Sequence, residues 1–136
     1  MRRVIRLLVV VSVNATGAVA ATAHPTRDFD ACAAHQRSGG ACTARGGAYQ
    51  YGTTVYLRAQ VSPSHASQTA LVVRRRPFSS TWRIVDEVFI SDTGHMRWAW
   101  HTMVDDAVQR RPYVFRFRIA DHGLSNKVEV FVLFGE

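Results

Sequence analysis

The sequence predicts an all-β domain, a sandwich or a barrel, on the strength of three observations. Apolar and polar side chains alternate along much of residues 55–134, which is the period-two pattern of half-buried strands. Gly, Pro, Asn and Asp interrupt this region at short intervals. No sustained amphipathic helical pattern follows the first 23 residues. Short strands separated by turn residues are typical of all-β architectures.

Six strands are predicted, and the first shows the pattern clearly. Val55, Leu57, Ala59 and Val61 point one way, and the side chains between them are mostly polar. The second strand is expected to stop at Pro77, because proline cannot donate to a ladder hydrogen bond. The six predicted segments are residues 53–63, 70–77, 80–90, 94–101, 113–121 and 127–134.

The fourth segment, GHMRWAWH, could be a metal site or the inside of a strand-built core. Strand periodicity places Met96, Trp98 and Trp100 on one face and both histidines on the other. His95 and His101 would then lie about 20 Å apart at 3.3 Å per residue, too far to share an ion. The tryptophans are therefore predicted to face the core and the histidines to face solvent.

The same periodicity, applied to all six segments, yields one predicted core. Full burial of its large aromatic side chains would supply several kcal/mol at about 25 cal/mol per Å². The predicted core residues are Val55, Leu57, Leu71, Val73, Trp82, Met96, Trp98, Trp100, Tyr113, Phe115, Phe117, Val128, Val130 and Val132.

The first 23 residues have the layout of a secretory signal peptide: a basic start, an apolar run and small-residue cleavage sites after Ala20 or Ala23. A retained membrane anchor is the alternative, but the run is shorter than the roughly 20 residues that a bilayer needs. Residues 24–48 are predicted as a loop-like arm and residues 49–136 as the β domain. We expect a secreted protein with no membrane span in its mature chain.

Cys32 and Cys42 are the two cysteines of the chain, and an exported protein meets oxidising conditions. We therefore predict a Cys32–Cys42 disulfide that ties the arm. Cys32, His35 and Cys42 could instead supply three metal ligands, but a structural zinc site needs four. No metal and no cofactor are predicted.

Several segments together resemble bacterial secreted immunoglobulin-like, or fibronectin III-like, β-sandwich modules. They are YGTTVYLRAQVSP, QTALVVRRRPFSSTWRIVDEV, DTGHMRWAW, YVFRFRIAD and LSNKVEVFV. The resemblance covers about residues 49–133 and implies a sandwich of 6–7 antiparallel strands in an extracellular setting. It implies no particular activity, because a fold does not fix a function.

The chain lacks the usual signatures of catalysis. Gly-x-Ser-x-Gly, phosphate-binding glycine loops and His-Glu-x-x-His are absent from it. Asp86–Glu87 and Asp105–Asp106 are adjacent pairs, and adjacent residues on a strand point to opposite faces. We therefore predict that the protein is not an enzyme.

Arginine dominates the positive charge, with 17 basic residues against 10 acidic ones and a formal charge of +7. Removal of Arg2, Arg3 and Arg6 with the signal would leave 14 basic residues, or +4. That excess alone does not predict specific nucleic-acid binding. If the strand order is immunoglobulin-like, the second, third, fifth and sixth strands share a sheet. Its outer face would carry Arg74, Arg76, Arg83, Arg116 and Arg118, with Phe131.

This arginine face predicts binding to an anionic envelope polymer or to another secreted protein, because guanidinium groups bind carboxylate and phosphate in a bidentate way. An ordinary solvated sheet face is the simpler interpretation of the same residues. A different class of function is a small-ligand carrier or inhibitor that uses a cleft between the sheets.

Overall fold

A computed structural model of the chain describes residues 28–108 and 110–134. The predicted signal peptide, residues 1–23, lies outside the described residues. The all-β class is confirmed, since the described residues form strands and contain no α-helix. Two short 3-10 turns, Pro63–His65 and Val104–Asp106, complete the regular structure.

The strands are numbered in chain order through the described residues. Most of the predicted segments contain a strand within a few residues of the expected bounds. The strands are β1 Ala31–Ala34, β2 Cys42–Thr43, β3 Gly46–Gln50, β4 Thr54–Gln60, β5 Thr69–Arg75, β6 Trp82–Phe89, β7 His95–His101, β8 Tyr113–Ile119, β9 Gly123–Leu124 and β10 Val128–Leu133.

The strands form two sheets. The larger sheet has the order β3–β10–β8–β5–β6, and β9 also pairs with β8. The smaller sheet has the order β2–β1–β4–β7. The second, third, fifth and sixth predicted strands do share a sheet. Not every pair is antiparallel, however, because β3 runs parallel to β10.

The residues expected as a loop-like arm take part in both sheets. β1 pairs antiparallel with β4 in the smaller sheet, and β3 pairs with β10 in the larger one. Asn126 fastens the arm from the far end of the chain: its Oδ1 accepts from the Ala31 amide at 2.6 Å, and its Nδ2 donates to the Ala31 and Ala44 carbonyls. The arm is therefore part of both sheets of the domain.

One hydrophobic core lies between the two sheets and receives side chains from both. The smaller sheet contributes Leu57 and Met96, and β8 contributes Phe115 and Phe117 at its centre. Each is almost completely removed from solvent, which is worth about 1.5–3 kcal/mol per side chain. The predicted core residues Val55, Tyr113, Val128, Val130 and Val132 are also buried.

The prediction is wrong for Leu71 and Trp82, which are only half-buried, whereas Val73 is buried at 6 % exposure but lies outside the main core cluster. Leu71 and Val73 pair with Arg118 and Arg116 on β8, which places them on the outer face of the larger sheet. Their neighbours Ala70 and Val72 fill the core instead. Trp82 is half-buried on that same outer face, opposite Arg75. The apolar run Ala70–Val73 has no alternation, so its sequence does not specify which residues face inward.

The tryptophans and histidines of β7 lie on opposite faces, as the periodicity predicts. Trp98 and Trp100 are half-buried and pack against the core, with Phe115 at ring-centroid distances of 5.5 and 5.2 Å. Trp98 Nε1 also donates to the Asp86 carboxylate at 2.8 Å. His101 is exposed.

The Cys32–Cys42 disulfide is confirmed, with a Cα–Cα distance of 5.3 Å. Its sulfur atoms are thus not available as the metal-ligating thiolates considered above. Arg58 supports the enclosed loop, because its Nη1 donates to the Gly39 carbonyl at 2.8 Å.

Removing this disulfide is expected to destabilise the domain moderately. In the chain-entropy model, opening a loop of about 11 residues costs about 2.5–3 kcal/mol. We expect the Cys32→Ser/Cys42→Ser double variant to show this loss in urea unfolding, measured beside the wild type under oxidising and reducing conditions. A variant as stable as the oxidised wild type would contradict the expectation.

Candidate functional site

The five arginines predicted to share an outer sheet face do not do so. Arg116 and Arg118 lie on the outer face of the larger sheet, but Arg74 is paired with the core residue Phe115. Arg83 is opposite Arg74 on the neighbouring strand, and Arg76 lies beyond the end of β5. The predicted face is therefore divided between two sides of the sheet and a loop.

Arg74 is part of the packing at one end of the core. Its guanidinium carbon lies 5.8 Å from the Trp100 ring centroid and 5.7 Å from that of Tyr113. Desolvation by burial, followed by repulsion from Arg76, lowers the pKa of Arg74 below its ordinary value. A half-buried guanidinium between two rings supports the fold and is poorly placed to meet a polymer.

Arg116 is also engaged within the protein. Its Nε and Nη2 donate to the Ser125 carbonyl at 3.1 and 2.8 Å, and its guanidinium lies over the Trp82 ring. Desolvation by burial lowers the pKa of this group as well. Only Arg118, among the predicted outer-face residues on β8, is fully exposed.

A different group of arginines converges at one end of the larger sheet. The loop after β5 and the loop before β8 meet there, because these two strands are antiparallel neighbours. Each loop carries the tetrapeptide Arg-Arg-Pro-aromatic, once as Arg75–Phe78 and once as Arg110–Tyr113. We call the cleft between the two loops the arginine pocket.

The arginine pocket has a volume of about 550 Å³. Its walls combine cations, one large aromatic ring and two hydroxyl groups. The lining residues are Arg75, Arg76, Pro77, Phe78, Ser79, Ser80, Arg111, Pro112, Val114 and Glu129.

One side of the pocket is built on a row of three neighbouring strands. Arg75 on β5 lies opposite Val114 on β8, and Val114 lies opposite Glu129 on β10. Paired residues in a sheet point to the same side, so Arg75 and Glu129 flank Val114 on the outer face. Val114 is only 3 % exposed, so this part of the pocket wall is well packed.

Phe78 projects from the opposite wall. Its side chain is 76 % exposed although phenylalanine is usually buried. The guanidinium carbon of Arg111 lies 5.0 Å from its ring centroid, within cation–π range. The backbone of Phe78 has a φ of 63°, a left-handed conformation that costs a non-glycine residue roughly 1–2 kcal/mol.

The second loop is held by Tyr113. The hydroxyl of Tyr113 donates to the Asp106 carbonyl at 2.9 Å, which ties the Val104–Asp106 turn to the start of β8. Burial raises the pKa of this hydroxyl, so Tyr113 stays protonated as a donor. The aromatic residue of the second tetrapeptide thus anchors the loop, whereas that of the first points to solvent.

The cations of the arginine pocket are not neutralised within the part of the chain that the structure describes. The guanidinium groups of Arg75, Arg76 and Arg111 make ring contacts at most, and no hydrogen bond or ion pair involves them there. Arg58 and Arg116, by contrast, use their guanidinium groups to bind backbone carbonyls. The pocket therefore presents guanidinium donors that an external anion can use.

A second cleft, of about 710 Å³, lies at the other end of the strands. Its lining includes Asp28, Asp30 and a pair of imidazole rings, His65 and His122, whose centroids are 3.9 Å apart. Within residues 28–108 and 110–134, no three His, Cys, Asp or Glu side chains are grouped so that they could hold a metal ion. In the same ranges, no helix is long and apolar enough to cross a membrane.

Comparison with known proteins gives no independent assignment. No protein-family model matches the chain, and no curated protein matches it with significance. The site therefore has to be interpreted from its own chemistry.

Sequence reasoning missed Arg75, Phe78, Arg111 and Glu129 as members of one site. The signal that could have found the first three is the repeated Arg-Arg-Pro-aromatic tetrapeptide. A proline after the second arginine disfavours helical backbone at that arginine and marks a chain turn at a strand end. Two such turns become neighbours when their strands pair.

Proposed function

We propose that this protein is a secreted, non-enzymatic module that binds anionic polymers of the cell envelope or its surroundings through the arginine pocket. The observation that carries the proposal is that Arg75, Arg76 and Arg111 line one pocket and that, within residues 28–108 and 110–134, their guanidinium groups have no hydrogen-bond or ion-pair partner. Guanidinium binds carboxylate and phosphate oxygens through paired, charge-assisted hydrogen bonds. The arginines that support the fold, Arg58 and Arg116, instead donate to backbone carbonyl groups.

The setting of this proposal is an immunoglobulin-like sandwich outside the cytoplasm. A two-sheet all-β domain with a disulfide is compatible with such a fold and compartment. The basic and apolar start of the sequence supports export through a signal peptide. The order of strand and turn motifs supports the resemblance to bacterial immunoglobulin-like modules.

A binding role suits the pocket better than catalysis does. Ser79 and Ser80 are the hydroxyl groups of its lining, and no histidine accompanies them there to act as a general base. A small-ligand carrier has less support, because the side chains between the two sheets pack as one buried core.

The proposal predicts that Arg75, Arg76 and Arg111 dominate retention on an anionic polymer. We expect the triple variant Arg75→Gln/Arg76→Gln/Arg111→Gln to bind immobilised polyanion at least about tenfold more weakly. Exposed ion pairs contribute up to about 1 kcal/mol each, and 1.4 kcal/mol is a factor of ten. The measurement is biosensor affinity at several salt concentrations, where the wild type is expected to weaken steeply as salt rises.

The matched control removes the same charge from three exposed arginines outside the pocket, as Arg45→Gln/Arg97→Gln/Arg118→Gln. This variant is expected to retain most of the affinity. Equal losses in both triple variants would show that net charge, and not the pocket, causes binding. A wild type without salt-sensitive binding to any polyanion would refute the proposed function itself.

A further inference from the structure

We infer that the arginine pocket binds an acidic sugar, a hydroxylated ring that carries a carboxylate, in preference to a chain of phosphates. This inference rests on the proposed function and names the ligand class of the same site. Three features of the pocket support it: an exposed aromatic ring, a carboxylate beside the arginines, and backbone strain at the aromatic residue.

The aromatic ring is a platform for a sugar. The guanidinium carbon of Arg111 lies 5.0 Å from the Phe78 ring centroid. The high exposure of the Phe78 side chain leaves part of the ring surface open to solvent. The carbon–hydrogen face of a pyranose is apolar and packs well on such a surface. The carboxylate of the same sugar would then lie next to guanidinium groups that have no hydrogen-bond or ion-pair partner among the described residues.

Glu129 distinguishes a sugar acid from a polyphosphate. Its carboxylate lines the same pocket and lies in one cross-strand row with Arg75. An ionised carboxylate accepts hydrogen bonds only, so it can accept from the hydroxyl groups of a sugar, whereas an ionised polyphosphate offers it no donor. The Glu129 carboxylate repels any anionic group, so the carboxylate of the sugar would have to lie on the arginine side of the pocket. The hydroxyl of Ser80 adds a further donor and acceptor of the kind that hydroxylated ligands use.

The strain at Phe78 also suits a ligand contact. A φ of 63° is unfavourable for phenylalanine, and the exposed side chain gains little from packing in return. Non-glycine residues held in left-handed conformations cluster at binding sites. Among the described non-glycine residues with positive φ, which also include Ser67, Arg110 and Asp121, Phe78 is the one with an exposed aromatic side chain.

Single-stranded nucleic acid is the main alternative ligand, because its bases also stack on aromatic rings. Such binders combine successive stacking platforms with a positive groove along the backbone. The arginine pocket has one exposed ring and includes the acidic Glu129, so it favours a sugar acid.

The test uses the full mature chain and measures affinity by calorimetry for four probes. These are a galacturonate hexamer, the neutral maltohexaose, polyphosphate with the same number of charges as the galacturonate hexamer, and a short oligothymidylate. We expect the wild type to bind galacturonate at least fivefold more tightly than the other three. Phe78→Gly is expected to weaken galacturonate binding at least fivefold and to leave polyphosphate binding within twofold.

Two further variants complete the experiment. Phe78→Trp keeps a ring and should retain galacturonate binding, and Glu129→Gln should improve polyphosphate binding. Phe89→Ala is the matched control, since Phe89 is equally exposed at 76 % and lies at the other end of its sheet. Phe78→Gly should melt at an equal or higher temperature than the wild type, because glycine relieves the strained φ.

The outcomes separate the two proposals. Tighter binding of polyphosphate or oligothymidylate, or galacturonate binding that Phe78→Gly leaves unchanged, would overturn the sugar-acid inference while anion binding by the pocket stands. Failure of all three anionic probes to bind would overturn both the inference and the proposed function.

Discussion

Replacement of Phe115 by alanine is expected to lower the free energy of unfolding by about 3–5 kcal/mol, the range for removing a buried aromatic ring from a core. Phe115 is 0 % exposed at the middle of the larger sheet. Its ring packs against both Trp98 and Trp100 of the opposite sheet. Two large indoles cannot collapse readily into the space that the ring leaves, so the loss should lie in the upper half of the range.

Urea unfolding followed by tryptophan fluorescence measures this loss. The matched control is Phe89→Ala, the same chemical change on an exposed strand position, which should change stability by less than about 1 kcal/mol. If both variants lose the same amount, Phe115 does not join the two sheets in the way described above.

Replacement of Gly94 by alanine is expected to cost about 2–5 kcal/mol, combining a strained backbone with a steric overlap. Gly94 has a φ of 84° in the turn between β6 and β7. A Cβ atom at this position would overlap the Val61 carbonyl oxygen. The Val61 amide also donates to the Gly94 carbonyl, so the two segments cannot separate without losing a hydrogen bond.

Gly52→Ala is the control for this variant. Gly52 has nearly the same φ, 86°, but a Cβ atom there would meet nothing within 4 Å. The loss of stability in Gly52→Ala should therefore be limited to the cost of the left-handed backbone conformation, about 1–2 kcal/mol. The difference in unfolding free energy between the two variants, measured by thermal and urea unfolding, gives the cost of the steric overlap at Gly94. Equal losses of stability would show that the overlap has no cost.

Strict alternation made much of the fold predictable. In β4, β7, β8 and β10, every second side chain is apolar, and all of these except Ala59 are large, so one register buries the most apolar surface. Arg116 and Arg118 interrupt β8 at regular positions and fix its outer face. These strands supply most of the core.

Where alternation fails, the inward-facing residues could not be predicted. Ala70–Val73 is continuously apolar, and the three consecutive arginines that follow, Arg74–Arg76, do not alternate with apolar residues either. A β-bulge in the pairing with β6, where Val85 is the extra residue between Ile84 and Asp86, breaks the alternation of that neighbouring strand as well. In the pairing with β8, Arg74 lies on the core side and Leu71 on the outer side, the reverse of the prediction.

The arm and the pocket depend on tertiary contacts that local patterns do not contain. β1 is made of alanines and Cys32, which carry weak strand signals, and its strand conformation comes with its pairing to β4 and the hydrogen bonds of Ala31 with Asn126. The pocket exists because β5 and β8 pair antiparallel and bring two distant turns together. The two loops are distant in the sequence: Arg76 in the first and Arg111 in the second are 35 positions apart.

The parallel pairing of β3 with β10, and the clamp by Asn126 on Ala31 across 95 residues, have a consequence for biogenesis. A nascent polypeptide that emerges amino end first cannot finish the larger sheet until almost all of it has been synthesised. Contacts between residues so far apart in sequence slow folding, because the chain loses the entropy of closing a long loop before the stabilising contacts form. The larger sheet is therefore expected to form late, only once β10 is available to pair with β3 and β8.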